Sequence, residues 1–166
     1  MIAIHPHPSI NFDERPAGAV IKYVIVHYTE GNLEDSLQWL TTINPHGQPV
    51  SAHYLICPLG HIYGLVDEQK RAWHAGVSQW KEDHNLNATS IGIELVNDGV
   101  SAYTEDQIQA LVELLQDIQN RLGILPENIL GHEDVAPTRK KDPGEHFPWQ
   151  HLADLGLAVY PREMAV

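Results

Sequence analysis

The sequence predicts an α/β domain with a mixed central β-sheet flanked by helices, and three observations predict it. Short apolar runs of strand length recur from residue 20 to residue 131. One long amphipathic helix stands between two of them, and strands and helices intermix along the chain without internal repeats. At 166 residues the chain is long enough for one core that buries roughly two-thirds of the surface exposed by its unfolded form.

Taken in order, residues 1–18 hold three prolines and little periodicity, which predicts an extended arm wrapping the domain 19–160. Val20 to Tyr28 is an almost continuous β-branched run broken only by Lys22 and His27, the pattern of a central strand buried on both faces. Leu33, Leu37 and Leu40 share helical spacing, so 33–42 reads as a short helix that stops before the Asn44-Pro45-His46-Gly47 loop. Ala52–Cys57 and Ile62–Val66, joined through Gly60, read as a β-hairpin with positive φ at the glycine. Residues 67–90 carry two tryptophans without a consistent period and read as a long ordered surface loop of the kind that shapes a site.

Ser90–Val96 alternates into an apolar run with Glu94 in its middle, a further strand. From Thr104 the helical pattern is the clearest in the chain. Thr104 and Gln107 suggest a capping box, Ile108, Leu111, Leu115, Ile118 and Leu122 make one face, and Gly123 ends it. Asn128–Gly131 is a short strand leading to His132, followed by a Pro/Gly-punctuated polar loop, a short helix over 149–155 and a tail at 161–166.

Composition narrows the partners. The net charge of −12, from 22 acidic and 10 basic residues, repels nucleic acid and anionic lipid. No run approaches the roughly 18 apolar residues of a membrane span. The single cysteine, Cys57, excludes a disulfide framework and reads as a buried small hydrophobe. A monomer is expected. The N-terminus lacks the charged and apolar regions of a signal peptide, which favours the cytoplasm over the periplasm or envelope.

Eleven histidines require sorting. His5, His7, His46, His61, His84, His146 and His151 fall in arms, loops or turns and read as solvated. His27 ends an apolar strand, where α/β sheets present functional residues, although a satisfied core histidine accounts for it as well. His132 ends a second strand, and Asp142, ten residues on, can fold back beside it. Two imidazoles and a carboxylate make a reasonable zinc set that leaves one position for water. By spacing alone an ordinary surface turn explains Asp142 equally.

The segments Val24-Ile25-Val26-His27-Tyr28-Thr29, Val50-Ser51-Ala52-His53-Tyr54, Arg71-Ala72-Trp73-His74-Ala75-Gly76, Ser90 to Asn97 and Gly131-His132-Glu133-Asp134 through Asp142-Pro143-Gly144, in this order, resemble the zinc-dependent N-acetylmuramoyl-L-alanine amidases, a family that includes AmpD and AmiD, phage-type lysozyme amidases and peptidoglycan-recognition proteins. The resemblance implies that family's fold, with His27, His132 and Asp142 as Zn2+ ligands and Glu94 and Lys140 as catalytic residues. It implies hydrolysis of the bond between N-acetylmuramic acid, ordinary or 1,6-anhydro, and L-alanine of peptidoglycan or muropeptides.

Ala52 stands where phage-type relatives have tyrosine, which favours Glu94 as the catalytic carboxylate, as in the AmpD and AmiD branch. Residues 142–150 look closest to the AmiD catalytic domain. Trp73, His74, Ala75 and Gly76, with His53 and Asn97, are candidates to line the substrate groove, and Trp80 to offer a face there. The alternative is a non-catalytic peptidoglycan-binding module of the same fold. A stem peptidase is disfavoured because no His-Glu-x-x-His motif occurs.

Overall fold

In the computed structural model, which describes residues 2–161, the most apolar run of the chain lies inside a six-stranded sheet. The strands are β1 (Ile4–Pro6), β2 (Phe12–Glu14), β3 (Tyr23–Tyr28), β4 (Tyr54–Ile56), β5 (Ile62–Gly64), β6 (Lys70–Ala72), β7 (Gln79–Trp80), β8 (Asp83–His84), β9 (Ser90–Leu95) and β10 (Ile129–Gly131). The helices are α1 (Leu33–Thr41), α2 (Glu105–Leu122), α3 (His132–Val135) and α4 (Trp149–Asp154). The main sheet runs β1-β5-β4-β9-β3-β10. Its sense is mixed: β4 and β5 are antiparallel, while β1/β5, β4/β9, β9/β3 and β3/β10 are parallel.

Side chains alternate across a strand, so the sheet has two distinct faces. Val24 and Val26 of β3, Ile91, Ile93 and Leu95 of β9, and Tyr54 and Ile56 of β4 point to the face covered by α2. There they meet Leu111, Leu114, Leu115 and Ile118, all fully buried, each contributing roughly 1.5–3 kcal/mol by leaving water. The opposite face carries Tyr23 and Ile25, packed with Ala75, Trp80, Leu86, Leu130 and Val135.

The expected helix over 104–123 forms with its caps. Thr104 Oγ1 accepts from the Gln107 backbone N–H, and Gly123 ends α2 at φ 67°. The reciprocal half of the capping box is absent. Gln107 turns inward and donates from Nε2 to the carbonyls of Ile56 and Val96, 2.9 Å each, bridging the ends of two strands, where the Ile56 carbonyl also accepts from the Val96 N–H. Gly60 lies at φ 84° in the hairpin turn, and an added Cβ would meet the Asp106 carbonyl oxygen at 2.7 Å.

Two regions read as irregular are more ordered than their patterns. The arm 1–18 contributes β1 to the sheet edge and pairs β2 with β6, and Arg15 fastens it by donating to the carbonyls of Glu68, Asn87, Ala88 and Ser90. The stretch 67–90 holds three short strands and a 3-10 turn over Leu86–Thr89. Of the tail at 161–166, only Pro161 lies within the described residues. Cys57 is buried, and among the described residues no helix is long and apolar enough to cross a membrane.

Candidate metal centre

The parallel register of the sheet brings His27, Glu94 and His132 to one end of three adjacent strands. His27 of β3 pairs with Glu94 of β9, and His132 directly follows Gly131, the β10 partner of Val26. Asp142 arrives on the loop after α3, which returns to the sheet because the Glu133 N–H donates to the Asp142 carbonyl at 2.9 Å. The Gly144 N–H donates to Glu133 Oε2 at 3.3 Å. An added Cβ on Gly131 would meet Pro143 Cδ at 2.6 Å, so the close approach of this loop requires glycine there.

Three atoms converge. His27 Nδ1 lies 3.0 Å from His132 Nδ1 and 3.1 Å from Asp142 Oδ2, and His132 Nδ1 lies 3.2 Å from Asp142 Oδ2. All three residues are buried and form the group among the described residues that could hold a metal ion. His132 Nε2 lies 3.1 Å from the Ala75 carbonyl oxygen. A carbonyl only accepts, so the His132 proton sits on Nε2 and Nδ1 is a bare lone pair aimed at the other two atoms. Tetrahedral ligands about 2.0–2.1 Å from a small divalent ion stand about 3.3 Å apart, which matches this triangle. The residues present therefore fit a metal ion.

Electrostatics agree with that chemistry. Burial pushes the His27 imidazole down to about 4, against the Asp142 carboxylate beside it, which keeps the ring neutral as a ligand must be. Burial alone would raise the Asp142 carboxyl, but hydrogen bonding to His132 and His27 outweighs it and holds the group well below the usual carboxylate range. Glu94 Oε1 stands 3.9 Å from His27 Nδ1, and its Oε2 is buried without a hydrogen-bond partner. Burial and the Asp142 charge push the Glu94 carboxyl well above its ordinary range, opposed by Lys140. A carboxyl tuned upward in a cleft is suited to move protons near neutral pH.

A groove of about 750 Å³ opens over these groups, lined by His27, Glu94, His132 and Asp142 and by Lys140, Trp73 and His74. Of the residues expected to line it, Trp73 and His74 do, whereas Ala75, Gly76, His53 and Asn97 are not among its lining residues. Trp73 also donates from Nε1 to Asp13 Oδ1 at 3.2 Å. His74 is buried, with its ring nitrogens 2.9 Å from His27 Nε2 and 3.0 Å from Ser90 Oγ. Ala75 is buried, and its carbonyl also accepts from Arg139 Nη2 at 3.1 Å. Gly76 sits at φ 61°, where an added Cβ would lie 3.2 Å from Arg139 Nη2.

His53 is fully buried, accepting at Nδ1 from the Gly92 N–H at 3.0 Å, with Nε2 at 2.9 Å from the Lys70 carbonyl. Asn97 joins the Asp98–Ser101 turn, donating to the Ser101 carbonyl. Trp80 is 2% exposed, a core residue packed on Ile25. The seven histidines read as solvated are exposed.

Several groove residues were not singled out in the sequence, Trp39 and Arg139 among them. Trp39 of α1 is 52% exposed and lines the groove beside Asp35. Its signal was available, since position 39 lies off the Leu33, Leu37 and Leu40 stripe. Arg139, which also lines the groove, carried no signal, because its neighbours Lys140 and Lys141 make the segment read as a solvated charge run.

A family model described as N-acetylmuramoyl-L-alanine amidase matches residues 17–145. The chain is 43% identical over 157 residues to the N-acetylmuramoyl-L-alanine amidase AmiD of Escherichia coli strain K12, covering 85% of this chain and 55% of that one. It is 35% identical over 173 residues to the 1,6-anhydro-N-acetylmuramyl-L-alanine amidase AmpD of Citrobacter freundii, covering 95% and 92%. The solved complex of E. coli AmiD with anhydro-N-acetylmuramic acid-L-Ala-D-gamma-Glu-L-Lys superposes with a TM-score of 0.80 at 41% identity, over 89% of this chain and 63% of AmiD. The chain thus spans little more than half the length of AmiD, whereas it covers most of AmpD.

Proposed function

The chain belongs to the N-acetylmuramoyl-L-alanine amidase family, and from that premise we propose that it is a zinc hydrolase cleaving the amide between the lactyl group of N-acetylmuramic acid, ordinary or 1,6-anhydro, and L-alanine of peptidoglycan or muropeptides. The observation that carries this reading is the triangle of His27 Nδ1, His132 Nδ1 and Asp142 Oδ2 with the unpartnered Glu94 carboxylate oxygen beside it. Two imidazoles and one carboxylate are the donor set of a catalytic zinc site with a position left open. Zinc bound there supplies a Lewis acid and an acidified water.

The protein residues perform the remaining work. Glu94 accepts a proton from the attacking water and delivers it to the departing amine of L-alanine. Its raised pKa suits both halves of that task. Lys140, in the same groove, stabilises the oxyanion that develops on the attacked carbonyl. Trp73 and Trp39 offer aromatic faces to sugar or peptide along the walls. Three of the ten basic residues, Arg139, Lys140 and Lys141, line this one groove of a chain with net charge −12. Glu30 and Asp35 also line the groove, and it is the basic stretch 139–141 that suits a stem peptide whose γ-linked glutamate keeps a free carboxylate.

Digestion of purified muropeptides followed by mass spectrometry tests the reading. The expected products are a sugar with a free lactyl carboxylate and a peptide beginning at L-alanine. Asp142→Ala should lose bound zinc and this activity together. Intact muropeptides after incubation with the zinc-loaded wild type would overturn the proposal.

A further inference from the structure

We propose that the segment His74–Ala75 is a rear clamp that fixes both histidine ligands through their outer nitrogens, with His74 the positioning residue of His27 and the Ala75 carbonyl that of His132. The inference rests on the zinc reading above and extends it to residues behind the ion. A ligand histidine binds well when its second ring nitrogen is held, because that bond sets the tautomer and the ring orientation. Both outer nitrogens end on consecutive residues here: His27 Nε2 lies 2.9 Å from His74 Nδ1, and His132 Nε2 lies 3.1 Å from the Ala75 oxygen.

For His27 Nδ1 to present a lone pair, its proton must sit on Nε2, so His74 Nδ1 must accept. The His74 proton then sits on Nε2, 3.0 Å from Ser90 Oγ, which accepts it. The chain His27 to His74 to Ser90 thereby has one direction, and it adds no charge beneath the ion. This distinguishes it from the carboxylate that commonly backs a ligand histidine.

The seat for His74 is built into the sheet. Ser90, Gly92 and Glu94 share one face of β9, and a Cβ on Gly92 would stand 2.5, 2.6 and 2.7 Å from ring atoms of His74. Glycine there lets the imidazole lie flat on the strand. The clamp is fastened from both sides. Asn87 Oδ1 accepts from the His74 and Ala75 backbone N–H groups at 3.1 and 2.8 Å. Arg139 Nη2 donates to the carbonyls of Ala75 and Val77 at 3.1 and 2.6 Å, tying the segment to the loop that delivers Asp142.

The test separates positioning from simple packing. His74→Asn keeps an acceptor oxygen near the place of Nδ1, whereas His74→Phe fills the volume better and offers no acceptor. Zinc dissociation constants, measured by competition with a chromophoric chelator, should rise about 10–100-fold in His74→Phe and distinctly less in His74→Asn. A packing role gives the reverse order, and an unchanged constant in a folded His74→Phe also overturns the clamp. Should His74→Phe fail to fold, long-range 1H–15N spectra of the zinc-loaded wild type decide. Protonated Nε2 on His27, His74 and His132 is expected, and a proton on His74 Nδ1 overturns the proposal. A wild type that binds no zinc would defeat the underlying reading of the site instead, so the two failures are distinguishable.

Discussion

The two faces of the central sheet bury their residues by different means. On the α2 face the contacts are hydrocarbon against hydrocarbon, from Val24 and Ile93 to Leu115 and Ile118. Across the strands, the buried set includes His27, His53, His74, Ser90, His132 and Asp142, with Glu94 at the groove. The first face needs no partner specificity and is stabilised by area alone. The second is tolerable only because most of its polar atoms have partners; Trp80 Nε1 and Glu94 Oε2 are buried without one, and of these Glu94 Oε2 stands beside the His27, His132 and Asp142 triangle. Stability and chemistry are thus divided between the faces of the same strands.

That division can be broken by experiment. The largest effect expected is from Glu94→Ala, which should lower turnover about 10²–10⁴-fold while zinc content stays at wild-type level. The melting temperature should hold or rise, since an unpartnered buried carboxylate is removed. Loss of zinc in this variant would show that Glu94 belongs to the structural set.

Leu115→Ala, on the other face, should cost about 2–5 kcal/mol of unfolding free energy by leaving a cavity, read by urea titration, with the zinc affinity of the folded protein unchanged. A weakened zinc site there would mean that the faces are coupled. The smallest effect is the pH response of the polar face. Burial lowers the His53 imidazole from 6.5 to about 4, so the unfolded chain takes up this proton first as pH falls. Its stabilising contribution is complete above pH 6.5 and drains away between 6.5 and 4, on the order of 3 kcal/mol in all. His53→Asn should show a shallower fall in urea midpoint over that interval, and an equally steep fall would remove His53 as its source.

The same division explains what the sequence disclosed. The α2 face was legible because burial of hydrocarbon leaves a period: Leu111, Leu115 and Ile118 stand one turn apart, and the strands opposite them alternate. Position also suggested His27 and His132, which end apolar strands. Asp142 was suggested by its reach back to His132, although a surface turn explained it equally, whereas Glu94 and Lys140 stood out only through resemblance, because a strand carboxylate and a surface lysine have ordinary explanations in isolation. Asn87 and Arg139 left no trace, since their work is done on backbone groups of residues that are distant in sequence. Gln107 shows the limit in miniature. Its spacing from Thr104 fits a capping box, but buried carbonyls on two strands claim its side chain.

The pairing of His27 with Glu94 across β3 and β9 has a consequence for variation among such sites. Neighbouring strands stand about 4.8 Å apart, and that interval is enforced by the backbone ladder whatever side chains surround it. A slip of one residue would swing Glu94 to the α2 face and bring Ile93 or Leu95 opposite the imidazole. The separation of Glu94 from His27 is therefore quantised, kept whole or lost whole. Gradual change is left to the loops above, where Trp39, Trp73 and the basic stretch 139–141 can drift with substrate while the reacting geometry holds its step.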